Sequence, residues 1–165
     1  MEERSYLEIR QEDLARLARV AGAVFDGLFK RRPELGVIYA KRRFALVLAQ
    51  GAAQHYMDGM TGIKDFDVWG FFDAQPKRQF PPRWLYPIDF GDPRFGTSPD
   101  KPEYIGRRVD VLGRSIGRTR DDVVEALCSY LQHPRAKSAW LLSQKAMVML
   151  EPKELLGKVI WPKQR

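Results

Sequence analysis

One cysteine, Cys128, in 165 residues excludes an intramolecular disulfide, and two histidines far apart in sequence, His55 and His133, offer no zinc-type ligand spacing. No apolar run approaches the roughly 18 residues that a membrane helix needs. The opening, MEERSYLEIRQEDL, is charged and lacks the apolar centre of a signal peptide. Together these absences predict a cytoplasmic protein with no membrane partner. Neither a Gly-x-x-x-x-Gly-Lys-Ser loop nor a Gly-x-Ser-x-Gly elbow occurs, which argues against a P-loop enzyme and an α/β-hydrolase. Internal repeats and low-complexity segments are also missing.

What is present suits one ordinary globular domain, here 1–165, with 44% hydrophobic and 30% charged residues. The 28 Lys and Arg outweigh the 21 Asp and Glu by +7, which favours phosphate-bearing or polyanionic partners, nucleic acid among them. The basic residues gather at Lys30, Arg31 and Arg32, at Lys41, Arg42 and Arg43, and at Arg107 and Arg108. Taken singly, each cluster reads as solvated surface.

Apolar residues at spacings of three and four predict an N-terminal helix over about 11–32, closed by Pro33. RFALVLA (43–49) reads as a buried strand running into the Gln50-Gly51 turn, and 52–58 as a short helix. A second strand follows over 64–72. Seven prolines between Asp73 and Tyr104 exclude regular helix and interior strand there, so this stretch is expected as a long ordered loop. A third strand is expected within 104–116, and Thr119-Arg-Asp-Asp122 resembles a capping box before a helix ended by His133-Pro134. A helix at about 136–143, a strand at 147–150 and an extended piece at 158–161 complete the chain. The expected class is α+β: a mixed β-sheet flanked by α-helices, with its core at about 43–116 and C-terminal elements at about 120–161.

Within IKDFDVWGFF, Asp65 and Asp67 are two apart, so both project from one strand face while Phe66 and Val68 project from the other. Two like charges on one face repel. A hard divalent cation such as magnesium, which takes carboxylate oxygens, makes the arrangement favourable. Asp110 interrupts the otherwise apolar or basic strand RRVDVLG and is the candidate third ligand. Alone, an Asp-x-Asp pair is more often a solvent-facing feature of a one-sided sheet. The combination with Gly51 upstream and Asp110 downstream is what singles it out.

The order strand, Gly turn, short helix, Asp-x-Asp strand, long loop, Asp strand resembles the DNA polymerase beta-like nucleotidyltransferase superfamily. Its signature is a glycine and a small residue, here Gly51 and Ala52, then Asp-x-Asp in an apolar strand, here Asp65 and Asp67, and a later acid, here Asp110. The resemblance covers Phe44 to Ile116. It implies a nucleotidyltransferase that moves a nucleoside monophosphate from a nucleoside triphosphate to a hydroxyl acceptor, with two Mg2+ ions held by Asp65, Asp67 and Asp110. Gly51 would admit the triphosphate to the backbone amides that open the following helix. Asp110 would also help to deprotonate the acceptor. Ala52 departs from the usual Ser or Gly and forfeits a hydroxyl contact of about 1 kcal/mol.

Arg108 shares a face with Asp110 and suits either a phosphate or a salt bridge. Lys64 points away from the acids by alternation. Gln54 and His55 follow Gly51 closely enough to reach a nucleotide, whereas His133 reads as a helix-end cation and Cys128 as packing. Two other readings stand beside the transferase. One is a catalytically idle module of the same fold that binds nucleic acid or a partner protein. The other is a metal-dependent nuclease, weakened by the lack of a lysine two residues after Asp110.

Overall fold

Helix α1 (Gln11–Arg31) buries one stripe, Leu14, Leu17, Ala21, Val24, Phe25 and Leu28, and starts where Asp13 Oδ2 accepts from the Arg10 amide at 2.7 Å. A computed structural model describes residues 3–81, 84–117 and 122–163. Pro33 does more than stop α1. It sits in the first turn of α2 (Pro33–Tyr39), where a missing N–H is harmless, and α2 buries Leu35 and Tyr39.

The remaining elements are β1 (Arg43–Ala49), α3 (Gln50–Asp58), β2 (Phe66–Asp73), β3 (Leu85–Asp89), β4 (Arg108–Ile116), α4 (Val123–Gln132), α5 (Lys137–Ser143), β5 (Met147–Glu151) and β6 (Val159–Trp161). The six strands form one sheet in the order β3-β4-β2-β1-β5-β6. Only β2 and β4 run parallel; the other neighbours are antiparallel. The expected α+β class, a mixed sheet flanked by helices, is what the described residues form.

Strand alternation sorts the interior into two clusters. On one face Leu46, Leu48, Phe66, Val68, Phe72, Val109 and Val111 pack against α1, α2 and α3. On the other Ala45, Val47, Phe71, Met147 and Met149 pack against Leu127, Leu131 and Leu142 of α4 and α5. The first face is rich in aromatics, and two paired glycines make room for them. Gly70 and Gly113 lie in register on β2 and β4, and a Cβ on Gly113 would stand 2.3 Å from Phe80. On Gly70 it would stand 2.6 Å from Phe25. Each ring so buried contributes about 1.5–3 kcal/mol.

The proline-rich stretch departs from the expected loop. It contains β3, which pairs antiparallel with β4 and places Pro87 opposite Asp110. Proline is tolerated because β3 is an edge strand, where a missing donor costs least. Phe80, Phe90 and Phe95 are fully buried, with Phe66 stacked on Phe90 at 5.1 Å, so these rings serve the core. The expected capping box at Thr119 lies outside the described residues. Helix α4 is capped by Asp122, whose side chain accepts from the Glu125 amide at 2.9 Å. Among the described residues no helix is long and apolar enough to cross a membrane.

Candidate functional site

The sheet brings Ala49, Asp67 and Asp110 into one row: Ala49 of β1 pairs with Asp67 of β2, and Asp67 pairs with Asp110 of β4. Because β2 and β4 are parallel and in register, both carboxylates lie on the α4–α5 face of the sheet. Asp65 lies just before β2. The chain leaves β1 at Ala49 and turns directly into α3, so Gln50 and Gly51 stand beside this row. Arg4, Gln50, Gly51, Gly62, Lys64, Asp65, Asp67 and Lys145 line a cleft of about 260 Å3.

Gln50 is the sole non-glycine residue with positive φ among the described residues, at 60°. A side chain held in the left-handed region costs about 1–3 kcal/mol, and such strain gathers at functional sites. A Cβ on the adjacent Gly51 would meet nothing within 4 Å, so this glycine leaves open space that no packing requires. Ala52 is different. It is buried in the α1–α3 cluster and is not among the residues lining the cleft, so its side chain serves packing.

The three acids differ in their partners. Asp65 Oδ1 accepts from Ser98 Oγ at 3.1 Å, and the same hydroxyl accepts from the Arg108 amide at 2.9 Å. Asp110, 5% exposed, is gripped in bidentate fashion by Arg108, Nε to Oδ1 and Nη2 to Oδ2, both at 2.8 Å. Arg108 Nη1 also binds Asp100. Those bonds, first of all the one to Asp110, hold the Arg108 guanidinium protonated above its ordinary value. Asp67 has no such support. Burial, followed by the charges of Asp110 and Asp65, pushes its carboxyl up to about 7. Burial also raises Asp65, with the Ser98 bond and the Arg108 charge opposing.

All donors here are hard oxygens, the chemistry that magnesium takes, and Asp67, half-buried and without a hydrogen-bonding partner among the described residues, is a carboxylate that a cation would satisfy. The set is nonetheless unassembled. Among the described residues no three His, Cys, Asp or Glu side chains converge to hold an ion, because Asp110 turns to Arg108 and Asp65 to Ser98. To share an ion with Asp67, Asp65 would have to turn from Ser98 and Asp110 from Arg108.

Several residues serve otherwise than expected. Lys64 precedes the strand and lines the cleft with the acids. Arg107, 3% exposed, is no surface cation: it donates to the carbonyls of Phe95, Glu3 and Lys64 and ties three segments together. His55 is buried and structural, with Nδ1 accepting from the Gly62 amide and Nε2 meeting the Leu7 carbonyl, each at 3.0 Å. Gln54 accepts from the Ala146 amide at 3.0 Å. Ser98, Asp100 and Lys145 join the site without having been expected. The first two sit in the proline-rich stretch, and Lys145 reaches Asp67 only through the pairing of β5 with β1.

No protein-family model matches the chain, and neither curated proteins nor solved structures provide a match.

Proposed function

We propose that the chain is a metal-dependent nucleotidyltransferase of the polymerase beta-like type, transferring a nucleoside monophosphate from a nucleoside triphosphate to a hydroxyl acceptor. The observation that carries this reading is Asp67. Its carboxyl is pushed up to about 7 beside two further acids, in register with Asp110 and paired with Ala49, where β1 leads into the Gly51 turn. The sequence of elements, from the glycine turn through Asp-x-Asp to an acid on a parallel neighbouring strand, supports the same fold family.

Magnesium ions held by Asp65, Asp67 and Asp110 would neutralise charge on the triphosphate and on the attacking oxygen. The chain's own residues do the rest. Gly51 admits the phosphates to the amides that open α3, and Lys64 and Lys145 place positive charge in the same cleft. Asp110 accepts the acceptor's hydroxyl proton. The oxygen then bonds to the α-phosphorus as the bond to the leaving pyrophosphate breaks, and Arg108, once released from Asp110 and Asp100, would bind a phosphate oxygen.

Calorimetric titration with a non-hydrolysable nucleoside triphosphate, with and without Mg2+, tests this. Saturable, Mg2+-dependent binding that Asp67→Asn abolishes is expected; binding indifferent to both would sink the reading. One observation favours a second reading, an idle module of this fold. Arg108 already occupies Asp110 as a built-in cation. In that case no nucleotide binds, and association with polyanions falls steeply with salt.

A further inference from the structure

Beyond Asp110, β4 continues to a second opening about four residues, or roughly 13 Å, along the strand. This pocket of about 540 Å3 lies between the end of β4 and the C-terminal half of α4, with Arg114, Ser129, Tyr130, His133 and Arg135 in its lining. None of its described lining residues is a carboxylate. Arg114 Nε is buried and has no hydrogen-bond partner among the described residues, which is costly for a guanidinium N–H. His133 is accounted for as the residue that ends α4. That role does not extend to Arg114, which arrives from the sheet, nor to Arg135, which lines the same pocket. An arginine fork matches the oxygens of a phosphate, and the volume suits a small molecule.

We propose that this pocket binds a phosphate group, with Arg114 and Arg135 as its principal ligands and the Ser129 and Tyr130 hydroxyls beside them. The site is separate from the acidic cleft and needs no metal. Either inorganic phosphate or the monoester of a nucleotide would present the required chemistry.

The test is calorimetry on the full chain in metal-free buffer, titrating inorganic phosphate and, separately, a nucleoside monophosphate. Wild type is compared with Arg114→Gln, Arg135→Gln and the distant surface variant Lys30→Gln. Saturable binding of at least one ligand, weakened about tenfold or more by each of the two pocket substitutions and unchanged in Lys30→Gln, is expected. Tighter binding of the monoester assigns the pocket to a nucleotide; equal affinity assigns it to bare phosphate. Absence of saturable binding to both ligands overturns the proposal, as does an equal loss in all three variants, which would mean diffuse charge. Arg135 is exposed, so Arg135→Gln keeps the result interpretable even if Arg114→Gln disturbs the strand.

Discussion

On the face covered by α1–α3, β2 contributes Phe66, Val68 and Phe72, all fully buried. On the opposite face the same strand contributes Asp67, Trp69 and Phe71, and of these Phe71 alone is fully buried. One strand thus serves two ends. Its first face supplies stability through aromatic packing, and its second gathers charges that burial disfavours. Functional sites commonly carry such a conflict, so crowding the first face and removing an acid from the second should change stability with opposite signs.

Arg108→Gln should have the largest effect, because it leaves the buried Asp110 charge without its partner. A loss of about 3 kcal/mol is expected in metal-free buffer, partly restored by Mg2+ if the acids can then share the ion. Thermal unfolding with and without the metal measures both parts. Gly113→Ala should destabilise by about 1–3 kcal/mol, since the new methyl meets Phe80, and Mg2+ should not rescue it.

Asp67→Asn should act in the opposite direction. With the carboxyl moved from 3.8 to about 7, the folded state holds its proton longer than the unfolded chain does. Wild-type stability therefore falls as pH rises through that interval. The amide removes this slope, so above about pH 7 the variant should exceed wild type by about 1 kcal/mol or more without metal. Gly51→Ala has the smallest effect: a helical alanine with open space around it should add about 0.5–1 kcal/mol of stability. In the nucleotide titration the same change should weaken binding. Chemical denaturation across a pH series checks both.

The legible parts of this molecule were those written in local periodicity. The stripe from Leu14 to Leu28 and the run at 43–49 each declare an element and a face, whereas the alternation expected from Lys64 begins only at Phe66, so Lys64 lines the cleft with the acids. The stretch from Asp73 to Tyr104 was not legible in this way, because its prolines mask an edge strand whose existence depends on β4 beside it. Ser98 and Asp100 were hidden for the same reason. Arg107 misled in the opposite sense: it looks like surface until the fold sets it against three carbonyls, whereas the salt bridge open to Arg108 from its shared face with Asp110 is the one it makes. Lys145 needed knowledge of strand order, which no local pattern holds.

Titration of the purified chain with Mn2+, read by electron paramagnetic resonance as loss of the free-ion signal, tests most directly whether the charged face is built for a cation. Saturable binding in wild type that Asp67→Asn removes and Gly113→Ala leaves in place is the predicted result. A wild type that leaves the free-ion signal unchanged, or an Asp67→Asn variant that binds as wild type does, would contradict it.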